Sequence, residues 1–214
     1  IKTVTELAKQ SSFSVFQQAE SVRALVVENG KNISRKVIEQ WEAKAKLQGA
    51  KGLAWTRMTE GKLTGGIGKF LETKTWRDSL SLKEGAVVLF VADSYEIASK
   101  ALGAVRLEAG THQNLIDKDS YEFLWVNDFP LFEWNPKRNS YDASHHLFSQ
   151  PKTEDMHWLD SDPGKVRGQV YDLVLNGVEI LSGSIRICDP EIQQKVLDVV
   201  QMSREEARSQ FGFL

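Results

Sequence analysis

Two carboxylates, a guanidinium and a pair of imidazoles mark the part of this sequence that could do chemistry. Asn176-Gly177 is the strongest short hairpin signal in the chain, because both residues tolerate the positive φ of a tight type I′ turn. It stands between strand-like runs at 166–175 and 178–187. A two-residue turn pairs Leu175 with Val178, Val174 with Glu179 and Asp172 with Leu181. Asp172, Val174, Glu179 and Leu181 then share a face, with the two carboxylates on a diagonal. Like charges at that spacing are unfavourable unless something positive lies between them. A divalent cation provides it, and Mg²⁺ typically takes one or two carboxylates together with substrate phosphates. Arg186 lies seven residues beyond Glu179, an odd number, so strict alternation sends it to the other face. A β-bulge at Ser182-Gly183 would bring it back, and a bulge or bend is therefore predicted within 181–184. From spacing alone, an exposed ion-pair lattice worth about 0–1 kcal/mol per pair explains the same three residues equally well.

His145-His146 is the second feature. Read on an extended stretch over 145–148, neighbours point to opposite faces, so the two cannot both ligate one metal. No cysteine or further histidine stands at ligand spacing. One imidazole is expected to project into a polar pocket while the other helps to order it. Gly65-Gly66-Ile67-Gly68 lacks the spacing of a phosphate-binding loop and reads as a flexible turn. A single cysteine, Cys188, cannot form an intramolecular disulfide and fits a reducing cytoplasm.

These groups need elements to position them. The 214 residues suffice for one large domain or two small ones, and 27 Lys plus Arg against 29 Asp plus Glu leave a net charge of −2. That excludes a strongly basic nucleic-acid clamp, though not a local basic patch. No apolar run approaches the length of a membrane span. The texture changes near residue 112. Upstream, strands are expected at 22–27 and 52–58, with an almost continuous apolar strand at 86–92. Ser34 is the expected N-cap of a helix whose Val37, Ile38, Trp41 and Ala45 lie on one face. Asp93 and Glu96 suggest a capping box before a helix lined by Ile97, Ala101 and Val105. Downstream, strand signals at 122–127 and 129–133 precede the hairpin. Asp189-Pro190 opens a helix to about Met202, and Ser203 with Glu206 suggests a last capping box. The fold class expected is α+β: a small α+β unit followed by a mostly antiparallel sheet closed by a helical pair.

Three segments together resemble bacterial-type aspartyl-tRNA synthetase, a class II family. They are Trp125-Val-Asn-Asp-Phe-Pro-Leu-Phe-Glu133, His145-His-Leu-Phe-Ser-Gln-Pro151 and Tyr171-Asp-Leu-Val-Leu-Asn-Gly-Val-Glu-Ile-Leu-Ser-Gly-Ser-Ile-Arg-Ile187. The closing 210–214 is similar to the approach to the family's third class II motif. Residues 21–113 resemble the family's GAD insertion domain, 1–20 the catalytic-domain segment leading into it, and 114–214 part of the antiparallel-sheet catalytic domain. Leu147 stands where the family usually has proline, and Leu181 and Ser182 where it usually has glycine. The resemblance implies activation of L-aspartate by ATP with Mg²⁺ and transfer of the aspartyl group to tRNA, in a cytoplasmic homodimer. It makes Arg186 the partner of the aspartate side-chain carboxylate, a task that suits a planar fork with two charge-assisted hydrogen bonds. It places His145 in the aspartate pocket, Glu179 on ATP and its Mg²⁺, and Asp172 as a second carboxylate on the metal. His146, Ser182 and Gly183 are expected to support them, and no protein nucleophile is required.

The family's first, second and third motifs and the anticodon-binding OB-fold have no counterpart in these residues. The expectation is a fragment of a longer enzyme, itself inactive. The alternative from another class is a non-catalytic tRNA- or protein-binding module. It rests on the basic residues Lys31, Arg35, Lys36, Lys44, Lys46 and Lys51, for which a solvated helix face is the commoner explanation. A stand-alone amidotransferase component fits poorly, because 114–214 look like synthetase throughout.

Overall fold

The computed structural model describes residues 1–212; Phe213 and Leu214, which end the segment likened to the approach to the third motif, lie outside the described residues. The chain divides into two compact units, Ile1–Lys118 and Asp119–Leu214.

The first unit runs β1 (Lys2–Thr3), α1 (Thr5–Lys9), α2 (Ser14–Gln18), β2 (Ser21–Val27), α3 (Arg35–Leu47), β3 (Ala54–Thr59), β4 (Lys62–Thr64), α4 (Thr73–Leu80), β5 (Val87–Asp93) and α5 (Tyr95–His112). Its five strands form one antiparallel sheet in the order β1-β2-β5-β3-β4. Successive side chains of β5 go to opposite faces. Val87, Leu89 and Val91 enter a core with Ile38, Trp41 and Leu102 from α3 and α5. Val88 and Phe90 enter another with Ala8, Phe16 and Trp76 from α1, α2 and α4. Helices on both faces explain why β5 is apolar from Val87 to Ala92 although its neighbours are antiparallel. Residues 1–20, likened to a lead-in, supply β1, α1 and α2, and bury Val4, Ala8 and Phe16 in the second of these cores.

Ser34 caps α3 as expected, its hydroxyl accepting from the Val37 N–H at 3.3 Å. The cap of α5 is shifted by one residue. Asp93 is still in the sheet, opposite Ser21. Ser94 is therefore the N-cap, accepting from the Ile97 N–H at 3.3 Å, while Asp93 accepts from the Ser94 N–H at 2.9 Å. The glycine loop packs against Trp55. Gly66 has φ +47°, and a Cβ there would lie 2.0 Å from the Trp55 carbonyl oxygen, so glycine is a steric requirement.

The second unit contains β6 (Phe123–Asn127), β7 (Phe132–Asn135), β8 (Ser140–Ala143), β9 (Val170–Leu175), β10 (Val178–Ser184), α6 (Pro190–Val199) and α7 (Arg204–Phe211). Strands β10-β9-β6 form an antiparallel sheet, and β7-β8 a separate pair. Asn176 and Gly177 have φ +48° and +83°, as their turn demands. Leu131, Phe132, Leu159, Val166, Val196 and Val200 form the core, to which α6 contributes its inner face. The capping box of α7 is present: the Ser203 hydroxyl accepts from the Glu206 N–H, and the Glu206 carboxylate accepts from the Ser203 N–H at 2.9 Å.

The extended stretch expected over 145–148 is instead a bend and a turn. Antiparallel pairing resumes only with Ser149, which lies opposite Arg186. Before it, the Leu147 carbonyl accepts from the Gln193 side-chain amide at 2.9 Å, so a contact from α6 shapes this loop. Strand alternation therefore does not govern where His145 and His146 point.

Candidate functional site

The hairpin pairs Leu175 with Val178 and Val174 with Glu179, as its turn dictates. The register then slips between Glu179 and Leu181, so that Leu181 faces Leu173 and Ser182 faces Asp172. The bulge thus lies at Ile180, ahead of the predicted 181–184 window, in which the ladder is regular. Leu181 moves to the face opposite Asp172, contrary to the expected pairing. Gly183 serves a different purpose from the bulge assigned to it: a Cβ there would lie 2.7 Å from the Tyr171 ring across the strand. Placing the extra residue at Ile180 has the parity effect sought from Ser182-Gly183. Asp172, Val174, Glu179, Ser182 and Ser184 project from one face, and Arg186 continues that series two residues beyond Ser184. The other face carries Phe123, Trp125, Tyr171 and Leu181, all substantially exposed.

Arg186 and His146 line a cleft of about 830 Å³ with Phe148, Asp189, Gln193 and Arg208, drawn from the loop before Ser149 and from α6 and α7. The Arg186 Nη1 atom lies 3.1 Å from Nδ1 and 3.0 Å from Nε2 of His146. Ser149 Oγ is 3.1 Å from Nδ1, and Ser184 Oγ is 3.3 Å from Nε2. Partial burial, chiefly, and the neighbouring Arg186 charge push the His146 pKa below the usual histidine value, with His145 adding to the repulsion. His145 is exposed, meets Phe129 edge-on at 5.1 Å between ring centroids, and is not among the residues lining this cleft. The structure therefore sets the second histidine, not the first, against Arg186.

Asp172 and Glu179 share a face but do not line the cleft that holds Arg186. Among the described residues no group of three or more His, Cys, Asp or Glu could hold a metal by itself. Two carboxylates on one sheet face are nevertheless the hard oxygen donors that suit Mg²⁺, whose remaining positions are ordinarily filled by water and phosphate oxygens. The donor set fits an ion brought by a phosphorylated substrate.

A second cluster, not apparent in the sequence, braces this region. Buried Asp155 accepts from the Arg167 N–H at 3.0 Å and from its side chain at 2.7 and 3.0 Å. Those Arg167 hydrogen bonds hold the Asp155 carboxyl at about 2. Asp128, at φ +62° just before Phe129, pairs with Lys152 and lies 3.8 Å from Arg167. The partners are 12 to 39 residues apart, so no local pattern marks them. Ser149 and Ser184 were also missed. Only Ser184 carries a signal, its spacing of two from Arg186.

Three of the six basic residues behind the binding-module alternative are paired with acids. Arg35 pairs with Glu39, Lys44 with Glu108 and Lys46 with Glu42. Among the described residues no helix is long and apolar enough to cross a membrane.

Comparison with known proteins agrees with the three segments. The family described as tRNA synthetases class II (D, K and N) matches residues 2–214. An aspartate–tRNA(Asp/Asn) ligase of Treponema denticola is 46% identical over 97% of this chain and 37% of its own length. Aspartate–tRNA ligases of Lactococcus lactis and Streptococcus pneumoniae are 44% and 42% identical, over 99% and 100% of this chain. The chain spans less than two-fifths of these relatives. Its α+β architecture, its hairpin and its match over almost every residue make it a member of the class II tRNA synthetases of the D, K and N group.

Proposed function

We propose that this chain is the part of an aspartate–tRNA ligase that recognises the amino acid's side chain and one edge of ATP. The observation that carries the reading is Arg186, an exposed guanidinium on a cleft wall whose position is set by the Ile180 bulge and the Ser149 bridge. The similar proteins named above are aspartate–tRNA ligases, which supports the same reading.

A guanidinium offers paired N–H donors matched to a carboxylate, and asparagine would present its own amide hydrogens to that cation. Arg186 therefore selects aspartate. His145, exposed on its loop, contacts the substrate from the side that His146, engaged with Arg186, does not. Glu179 and Asp172, with Ser182 beside them, hold Mg²⁺ together with the phosphates of ATP. When bound, that ion offsets the charge that develops as pyrophosphate leaves. The chain's own contribution is to bind, orient and exclude, with no protein nucleophile. Residues 21–113 are the GAD-like insertion. The remaining ATP contacts, the tRNA contacts and the homodimer interface belong to the longer protein.

Aspartate-dependent ATP–pyrophosphate exchange tests the reading. The protein from the full coding sequence is expected to exchange with aspartate and not with asparagine. The Arg186→Gln variant is expected to lose about 10²–10³-fold in kcat/KM for aspartate, the scale for removing one partner of a buried charge pair. Equal activity with asparagine, or full activity in Arg186→Gln, would refute it. The 214-residue chain alone is expected to show no exchange above background.

A further inference from the structure

An arginine that must read a carboxylate needs its long side chain held still, and the way this one is held points to a role for the neighbouring histidine. The Nη1 atom is almost equidistant from both ring nitrogens of His146, at 3.1 and 3.0 Å. The two nitrogens of an imidazole are about 2.2 Å apart and their lone pairs diverge in the ring plane. An atom 3 Å from both lies on neither lone-pair line, and an in-plane approach from between them would collide with the carbon that joins them. Nη1 must therefore sit over the ring face. A neutral aromatic face attracts a cation there, and a charged one repels it.

The ring is fixed by two hydroxyls that the sheet itself supplies. Ser149 is buried and faces Arg186 across the antiparallel bridge. Ser184 projects from the same face as Arg186, two residues earlier on the strand. The Phe148 ring lies against the imidazole at 6.4 Å between centroids and 26° between planes. Only Nη1 of the guanidinium is engaged; the Nε and Nη2 edge meets no partner among the described residues. That edge is the fork that grips a carboxylate.

We infer that His146 is the positioning residue for Arg186: a ring seated between Ser149 and Ser184 on which the guanidinium lies, presenting its open edge to substrate. The inference rests on the reading of Arg186 as the aspartate-binding arginine. The ionisable groups around the ring are Arg186 and His145, with Asp189, Cys188 and Arg208 along the cleft. A neutral ring is compatible with this company, because protonation would set a second positive charge against the guanidinium. Acidification is thus expected to unseat Arg186 before it affects ATP.

The test uses the protein from the full coding sequence and aspartate-dependent ATP–pyrophosphate exchange. His146→Ala is expected to raise the KM for aspartate about tenfold, the scale of freeing one rotamer-rich side chain, while kcat and the KM for ATP change less than twofold. Wild type is expected to show a rising aspartate KM as pH falls from 7 to 5.5, a dependence that His146→Ala loses. Ser184→Ala is expected to change KM in the same sense by a smaller factor, and the double variant to be no worse than His146→Ala alone. Where His146→Ala fails to fold, judged by circular dichroism, Ser184→Ala and the wild-type pH profile carry the decision. An unchanged aspartate KM, a parallel rise in the KM for ATP, or a pH profile that survives the substitution overturns the inference. Failure of the wild type to activate aspartate at all would instead overturn the functional reading beneath it.

Discussion

Ser182 lies directly opposite Asp172 across the β9–β10 ladder, whereas a regular hairpin from the Asn176-Gly177 turn would put Leu181 there. One extra residue, Ile180, makes the difference, and it is half-exposed, with little packing of its own. Its value is positional: everything C-terminal to it in the strand changes face. Deleting Ile180 removes only the unpaired residue and is expected to leave Leu181 opposite Leu173, Ser182 opposite Asp172 and Arg186 on its present face, whereas deleting Ile185 is expected to turn Arg186 away from His146. In the full-length protein the Ile185 deletion is expected to lose at least about a hundredfold in aspartate activation, and the Ile180 deletion far less. Retained activity in the Ile185 deletion, with the deletion confirmed by mass spectrometry, would show that Arg186 does not depend on strand parity.

Asp155 and Arg167 form the best-satisfied ion pair in the second unit. Asp155→Asn is expected to lower stability by about 2 kcal/mol at pH 7, the scale of hydrogen bonds to a charged group. The carboxyl is held at about 2 against an ordinary 3.8. A depressed folded-state value contributes stability that is complete above the unfolded value and is lost as pH falls through the folded one. The gap between wild type and variant should therefore persist down to about pH 4 and close towards pH 2. Urea melts across that range measure it; a gap independent of pH would rule out the ionised pair as its source.

Two glycines with positive φ make a controlled comparison. Gly61 has open space where a Cβ would go, whereas at Gly66 the Cβ would collide with the Trp55 backbone. Gly61→Ala carries only conformational strain, on the order of 1 kcal/mol. Gly66→Ala is expected to cost distinctly more, because Trp55 must shift as well. Paired thermal melts decide it, and equal losses would mean that the loop relaxes away from Trp55.

Phe16 is fully buried and touches Trp76 and Phe90, with ring centroids at 6.4 and 5.4 Å. Phe16→Ala is expected to destabilise the first unit by about 3–5 kcal/mol. A cost under about 1 kcal/mol would mean that residues 1–20 are a lead-in rather than part of that core.

Much of this protein is written locally. The Asn176-Gly177 turn, the Ser34 and Ser203 caps and the two-faced apolar run of β5 each follow from neighbours a few residues apart, whose backbone preferences need no distant partner. Even the α5 cap was missed by only one residue, because Asp93 is claimed by its strand opposite Ser21. The three motif segments likewise identify the family by their residues alone.

What the local pattern left open was which groups meet. Parity arithmetic on Glu179 and Arg186 demanded an extra residue but could not locate it, since a bulge settles where packing on both strands, not one, is best satisfied. Whether His145 or His146 meets Arg186 depended on a loop shaped by Gln193 of α6 and on a bridge from Ser149, contacts spanning about forty residues. Asp155 and Arg167 are ordinary charges until folding buries the carboxylate and aligns the fork. Turn and helix preferences are properties of short stretches; the seating of a guanidinium on an imidazole belongs to three segments brought together, and only the tertiary structure could decide it.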